Sequence, residues 1–488
     1  MSILAFVLAV FLASTANAQS SKDTTYGRSG CAVIDLPSHA DRIDSLVVTR
    51  MRAERIPAVQ ISLLENGRIE SRAYGYADLQ HCVFADTNSV FGLGSVSKQL
   101  TAYATLRAVQ AGKIGLDDAI TKYLPEAAQF WNGITIHHLL THTSGIRDYA
   151  GDDPMHPQIS IDSRAEYTAD SLLKILAVAP MNFRPGVEFA YSNTGYKILS
   201  IILERAVGKP FPEVMRTLVY QPLSMNSTIS WDPNVIVPNL ANGYTISHGQ
   251  LMNGRYSSEN AGRYGGDFRL LTTASDMARF ARELIHPAHI SADLLALMKS
   301  RTVLLDGASV AYGFGIRPSD VRGVPSLNHG GTWSGGYTAF DEIFPTHDFA
   351  VVILTNSWDA QPWNLGAAIM RIADDSIPTI PEAAADPNPQ RTKRILALLG
   401  GDSTAMPMAP AFARHQYAFV TKETTEMISH RRAFSFRGCD DLRRSKASLP
   451  PLARSECYYE IDMGDGVTIT LAIYFTASDA IADIQPVL

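Results

Sequence analysis

Residues 91–100 read "FGLGSVSKQL", and they decide how the rest of the chain is understood. Ser95 stands three residues before Lys98, with Gly92 and Gly94 just ahead of it. Leu100, Tyr103, Ala104, Leu106, Ala108 and Val109 follow at helical spacing until Gly112, which reads as the stop. Residues three apart on a helix share a face, so the Lys98 amine can lie beside the Ser95 hydroxyl. A helix start also offers free backbone N–H groups that stabilise negative charge. A serine hydroxyl is a poor nucleophile until a base takes its proton, and lysine can be that base only when burial or neighbouring cations lower its pKa. Spacing alone does not establish this chemistry, because Ser171 and Lys174 in "SLLK" repeat it inside an amphipathic helical pattern, where a solvated face is the simplest reading.

Outward from this stretch, residues 41–55 look helical. Residues 58–79, "AVQISLLENGRIESRAYGYADL", form two β-rich runs around Asn66-Gly67, a strong hairpin signal. From about 115 to 300 helical patterns and long loops dominate, among them "TGYKILSIILERAVG" and "TTASDMARFARELI". Strand-like runs then return as "YGFGI", "SLNHGG", "GYTAFDEIFP" and "FAVVILTN", and "PWNLGAAIMRIADD" reads as a closing helix. Strands, a helical middle and strands again predict one antiparallel sheet built from both ends of a domain, with a helical insertion. Residues 376–390 are rich in Pro and Ala and read as a linker. Residues 391–488 begin with helical patterns, end in β-rich runs such as "ECYYEIDM" and "VTITLAIYF", and carry no motif assignable to chemistry.

The chain is 488 residues long, enough for one large domain and a smaller one. With 42 Lys and Arg against 48 Asp and Glu, a formal net charge of -6 and no basic block, nucleic acid is not an expected partner. The first eighteen residues carry an apolar run from Ile3 to Ala13 and then small residues ending in Ala16-Asn17-Ala18, the pattern of a secretory signal cleaved after Ala18, although the segment before the run has no Lys or Arg. Export predicts a secreted or periplasmic protein with no integral membrane segment once the signal is removed. Of the three pairings open to Cys31, Cys82, Cys439 and Cys457, Cys31 with Cys82 and Cys439 with Cys457 would keep each bridge local. Free thiols are the alternative, and no C-x-x-C spacing invites a metal.

Two further motifs follow Ser95-x-x-Lys98, namely Tyr191-Ser192-Asn193 and His329-Gly330-Gly331-Thr332. In this order and at these separations the three resemble the motifs of the serine β-lactamase and penicillin-binding-protein superfamily, in the branch of class C β-lactamases, D-alanyl-D-alanine carboxypeptidases, D-aminopeptidases and esterases. "LLTHTSGI", "FRPGVEFAYSNTGY" and "GGDFRLLTTASDMARF" extend the likeness over about residues 40–375. The resemblance implies an α+β fold. A β-lactamase-like domain at 19–375 would have a central antiparallel sheet flanked by helices and a helical subdomain. A small C-terminal α+β domain at 391–488 is similar to nuclear-transport-factor-like or cystatin-like domains.

Carried over by motif, the resemblance makes Ser95 the acylated nucleophile, Lys98 its base and Tyr191 the proton relay. Asn193 would bind the substrate's acyl-side amide, and the N–H groups of Ser95 and Thr332 would form the oxyanion hole. Gly330 and Gly331 would let substrate approach the strand closely. No cofactor is implied, and the partner would be a small-molecule or peptide substrate. Most β-lactamases carry Lys where this chain has His329, which shifts the expectation from antibiotic hydrolysis toward D-amino-acid peptides, D-Ala-D-Ala-type peptides and small esters. A class C-like β-lactamase and a catalytically silent scaffold on the same fold are the rival readings. An α/β-hydrolase would need G-x-S-x-G, which is absent. A zinc hydrolase built on His138 and His142 would need H-E-x-x-H, also absent.

Overall fold

The computed structural model describes residues 30–32, 40–127, 131–149, 167–177, 180–232, 234–254, 264–377, 384–415, 417–442, 453–464 and 467–487. The expected signal peptide and residues 378–383 of the expected linker lie outside them. The helix at Arg42–Glu54 (α1) begins with a capping box between Asp41 and Asp44. The hairpin strands Ala58–Glu65 (β1) and Arg68–Asp78 (β2) turn at Asn66 and Gly67, both with positive φ, and pair Glu65 with Arg68.

The strands from the two ends of this region make one antiparallel sheet. Arg317–Val321, Val324–Trp333, Tyr337–Phe344 and Phe349–Thr355 continue through β1 and β2 to Val83–Phe84, seven strands in all. Alternation along the central strands feeds two layers. Val59, Ile61, Val351 and Ile353 pack with α1 and the helix Pro362–Ala373. Ala350, Val352 and Leu354 face the opposite layer, which holds the helix Ser97–Gln110 (α2). That helix is buried almost all round, so its side chains are held by the protein on every side.

One expected strand is absent. "YGFGI" is an irregular loop, because Gly315 has φ +71° and a Cβ there would lie 2.5 Å from the Lys98 carbonyl oxygen. The glycine lets this loop pass directly over α2.

The C-terminal region holds the helices Pro389–Leu399, Pro410–His415 and Tyr417–His430 and a four-stranded antiparallel sheet from Ala433 to Val487. Its apolar cluster takes in Phe340 and Trp363 from the larger sheet and its helix layer, so the two regions share buried surface. Arg322 with Asp440 and Arg301 with Asp483 add ion pairs across the junction. The disulfides are Cys31–Cys82 and Cys439–Cys457. Among the described residues, no helix is long and apolar enough to cross a membrane.

Candidate active site

Ser95 lies in a 3-10 turn, Gly94–Val96, immediately before α2, and it is partly exposed where its neighbours are buried. The turn is pressed against Val324–Trp333, whose second half extends beyond its pairing with Arg317–Val321 and so presents an open edge. Gly94 has φ +54°, and a Cβ there would sit 2.3 Å from the Thr332 nitrogen. One at Gly331 would sit 2.1 Å from the Leu93 carbonyl oxygen and 2.9 Å from the Ser95 nitrogen. The glycine of the third motif therefore admits the protein's own Ser95 turn rather than a substrate, and it brings the backbones of Ser95 and Thr332 together.

Lys98 is fully buried and its ammonium has three acceptors: Ser95 Oγ at 3.2 Å, Asn193 Oδ1 at 2.7 Å and the Asp267 carbonyl oxygen at 2.6 Å. Burial disfavours its charge and lowers its pKa to about 8, while the carboxylates of Asp267 and Asp148 pull the other way. Tyr191 lies beneath it, with the ammonium 4.8 Å from the ring centroid. Burial pushes the Tyr191 hydroxyl well above its ordinary value, the neighbouring Ser95 hydroxyl countering only in part. Of the two groups, Lys98 is therefore the one able to hold a lone pair near neutral pH.

Asn193 opens the helix Asn193–Val207 (α3), and Ser192 at the cap makes no side-chain hydrogen bond. The capping role falls to Asp148. Its carboxylate accepts from the backbone N–H of Asn193 at 2.9 Å and of Thr194 at 3.3 Å, and from Asn193 Nδ2 at 2.9 Å. The Asn193 amide is thus gripped by Lys98 at its oxygen and by Asp148 through one N–H, and its second N–H has no partner among the described residues.

His138 and His142, the pair that a zinc site would need, turn to different tasks. His138 Nδ1 closes a capping box on Thr135, whereas His142 Nδ1 accepts from the Ser192 N–H at 3.1 Å. The His142 ring packs 4.3 Å from that of Tyr191 and 4.7 Å from that of Tyr312.

His329 is buried as well. Its Nδ1 is 2.6 Å from the Gly330 carbonyl oxygen and so carries the proton, which leaves Nε2 to accept from the Tyr312 hydroxyl at 3.1 Å. Burial, with the charges of Arg317 and Lys98, holds its pKa well below the usual histidine value. The ring is neutral and tethered. The side chain of Arg317, half-buried on the neighbouring strand, makes no hydrogen bond or ion pair among the described residues, and its charge also reaches His142, Tyr191 and Tyr312.

The structure thus brings Ser95, Lys98, Tyr191, Asn193, His329, Gly331 and Thr332 into one site. Sequence reasoning missed Asp148, Asp267, Tyr312 and Arg317, and it weighed His142 only as half of a zinc pair. An acidic residue within the Gly-rich, apolar stretch "GGDFRLL" was the available signal for Asp267.

Among curated proteins, a penicillin-binding protein of Bacillus subtilis (strain 168) is 28% identical over 298 residues, covering 58% of this chain and 64% of that relative's length. A β-lactamase of Escherichia coli (strain K12) is 25% identical over 372 residues, covering 69% of this chain and 94% of the relative. Esterase EstB of Burkholderia gladioli is 29% identical over 369 residues, covering 66% and 92%. Of solved structures, an octameric penicillin-binding protein homologue from Pyrococcus abyssi superposes with a TM-score of 0.57 at 20% identity, covering 91% of this chain and 94% of its own. EstCE1, described as a hydrolase with promiscuous acyltransferase activity, gives 0.56 at 25% identity, covering 64% of this chain and 92% of its own. A family model described as Beta-lactamase matches residues 43–374, well over half of the chain, which therefore belongs to that family, within the serine β-lactamase and penicillin-binding-protein superfamily.

Proposed function

We propose that the chain is a serine hydrolase that forms an acyl-enzyme at Ser95 and acts on D-amino-acid peptides, D-Ala-D-Ala-type peptides or small esters. The observation that carries this reading is the buried Lys98 ammonium, 3.2 Å from Ser95 Oγ and lowered to a pKa of about 8. In the neutral form Lys98 takes the Ser95 proton as Oγ attacks the substrate carbonyl. The resulting oxyanion receives the N–H groups of Ser95 and Thr332. Collapse breaks the bond to the leaving group, which gains its proton through Tyr191, and water then attacks the acyl-enzyme by the reverse route. The two disulfides support a secreted or periplasmic location.

The neutral, tethered His329 favours this substrate range over β-lactams, since the third motif offers no fixed cation to a β-lactam carboxylate. Arg317, on the neighbouring strand, is the remaining cation that a substrate carboxylate, of a peptide or a β-lactam alike, would meet. A fluorophosphonate probe, followed by mapping of the labelled peptide, tests the reading. Labelling should reside on Ser95 and vanish in Ser95→Ala; labelling that persists there overturns it. Relative kcat/KM on a nitrophenyl ester, a D-Ala-D-Ala peptide and a penicillin tests the substrate range, with the penicillin expected last. Arg317→Gln should weaken the peptide and spare the ester.

A further inference from the structure

A second lysine lies behind Lys98, and the proposed chemistry does not use it. Lys197, one turn into α3 from Asn193, is fully buried, and so is Asp267. Its ammonium is 3.3 Å from Asp267 Oδ1, 3.2 Å from Oδ2 and 3.0 Å from the Tyr264 carbonyl oxygen. Tyr149 donates its hydroxyl to Asp267 Oδ2 at 2.5 Å, and its ring lies 4.9 Å from the Lys197 ammonium. Taking two charges out of water is costly, and an apolar pair of similar volume would avoid that cost. What the pair accomplishes can be read from its other end. The residue whose side chain is pinned by Lys197 and Tyr149 is the one whose main-chain oxygen receives Lys98 at 2.6 Å.

We propose that the Lys197–Asp267 ion pair, with Tyr149, is a positioning device for the catalytic base: it fixes the carbonyl that holds Lys98 in place and sets a negative charge behind it. This rests on the reading of Ser95 and Lys98 given above. Lys98 is faced by Ser95 from its own turn, by Asn193 and Tyr196 from α3, by Tyr191 from the segment before α3, by His142 and Asp148 from the loop after His138, by Asp267, and by His329 from the sheet. Burial leaves both histidines neutral and the tyrosines protonated. The charges that remain are the carboxylates of Asp148 and Asp267, which favour the ammonium form, and the cations Lys197 and Arg317. Loss of the Asp267 carboxylate therefore makes Lys98 a weaker base that is free at lower pH.

The test is the rate at which a fluorophosphonate labels Ser95 in the full chain, measured against pH. Lys197→Met combined with Asp267→Asn removes both charges and strands neither. In this double variant the loss of the Lys197 charge offsets part of the loss of the Asp267 carboxylate, which is the one that acts on Lys98 directly. The midpoint of the acidic limb should therefore fall by about one unit or less, and labelling one unit below the native midpoint should become faster. Tyr149→Phe keeps both charges, and it should leave the midpoint in place while lowering the plateau several-fold. A folded double variant with the native midpoint overturns the proposal. Where the double variant does not fold, Tyr149→Phe decides, and an unchanged plateau there overturns it. Wild-type protein that fails to label at Ser95 would instead overturn the proposed function.

Discussion

The chain carries Ser-x-x-Lys twice, and the two copies have different fates. At Ser171 and Lys174 the helix Ala169–Leu176 buries Leu172, Leu173 and Leu176 and leaves Lys174 exposed. Ser171 spends its hydroxyl on the Thr168 carbonyl oxygen at 3.0 Å, as residues near a helix start do. At Ser95 and Lys98 the same spacing meets acceptors delivered by Asn193 and Asp267 from far along the chain. Helical geometry supplies adjacency in both copies. What sets the first copy apart is desolvation of its lysine, which the proposed base and nucleophile require, and that comes from tertiary structure.

The sharpest way to break this comparison is to remove each serine in turn. Ser95→Ala should lower ester or peptide turnover by about 10⁴-fold or more, as loss of a nucleophile does. Ser171→Ala should leave turnover native and shift stability by no more than about 0.5 kcal/mol. Comparable losses in both variants would mean that burial does not distinguish the copies. The lysines come next. Lys98→Met should cost about 10²- to 10⁴-fold in the acylation rate, the usual worth of a positioned base, whereas Lys174→Met should be silent.

This difference also marks how far the sequence could be read. The Asn66-Gly67 hairpin, α1, α2 and the late strands were legible because apolar periodicity and turn residues are local signals. The three motifs were legible because each is a short string. The partners that give the motifs their chemistry were not. Asp148 caps a helix that starts 45 residues later, and Asp267 meets Lys98 across 169 residues. No local pattern encodes such contacts. "YGFGI" failed for a related reason: its alternation is that of a strand, but Gly315 serves a close crossing over α2 that only the folded chain makes visible.

A pH profile sharpens the comparison further. Lys98 has its pKa lowered by burial to about 8, so the amine is neutral above that pH and charged below it. Acylation should therefore rise with pH through about 8, with roughly a five-fold gain from pH 7 to pH 8 as the neutral fraction climbs from about a tenth to about a half. Neither His142 nor His329 should add a limb near 6.5, because burial holds both well below the usual histidine range. A limb near 6.5 that disappears in His329→Gln would transfer the titration from lysine to histidine and undo this account.

The smallest effect is expected at the outermost layer of the same environment. Tyr191, which lies against Lys98, packs with Phe189 on a cluster of Leu304, Ala308, Val310 and Tyr312, and this cluster also receives Ala411 from the C-terminal region. Asp306, in the turn of the short hairpin that pairs Thr302–Val303 with Ser309–Val310, accepts from Arg414 at 2.5 Å and from His415 at 2.8 Å. All the motifs precede residue 376, so sequence alone predicts that the C-terminal region is dispensable. The contacts argue for a graded role, because a chain ended near residue 386 would uncover Phe340 and Trp363 and release the hairpin at once. Asp306→Ala is the gentler probe. It removes the partly exposed ion pair to Arg414 and the hydrogen bond to His415, together worth about 1 kcal/mol or less, with Tyr191 still in place. We expect kcat/KM to fall by no more than about five-fold, the ceiling that this energy sets, with unchanged circular dichroism and a larger loss for a bulky peptide than for a short ester. Equal losses on both substrates would assign the hairpin to stability alone. No loss on either would detach the C-terminal region from the site and restore the simpler expectation.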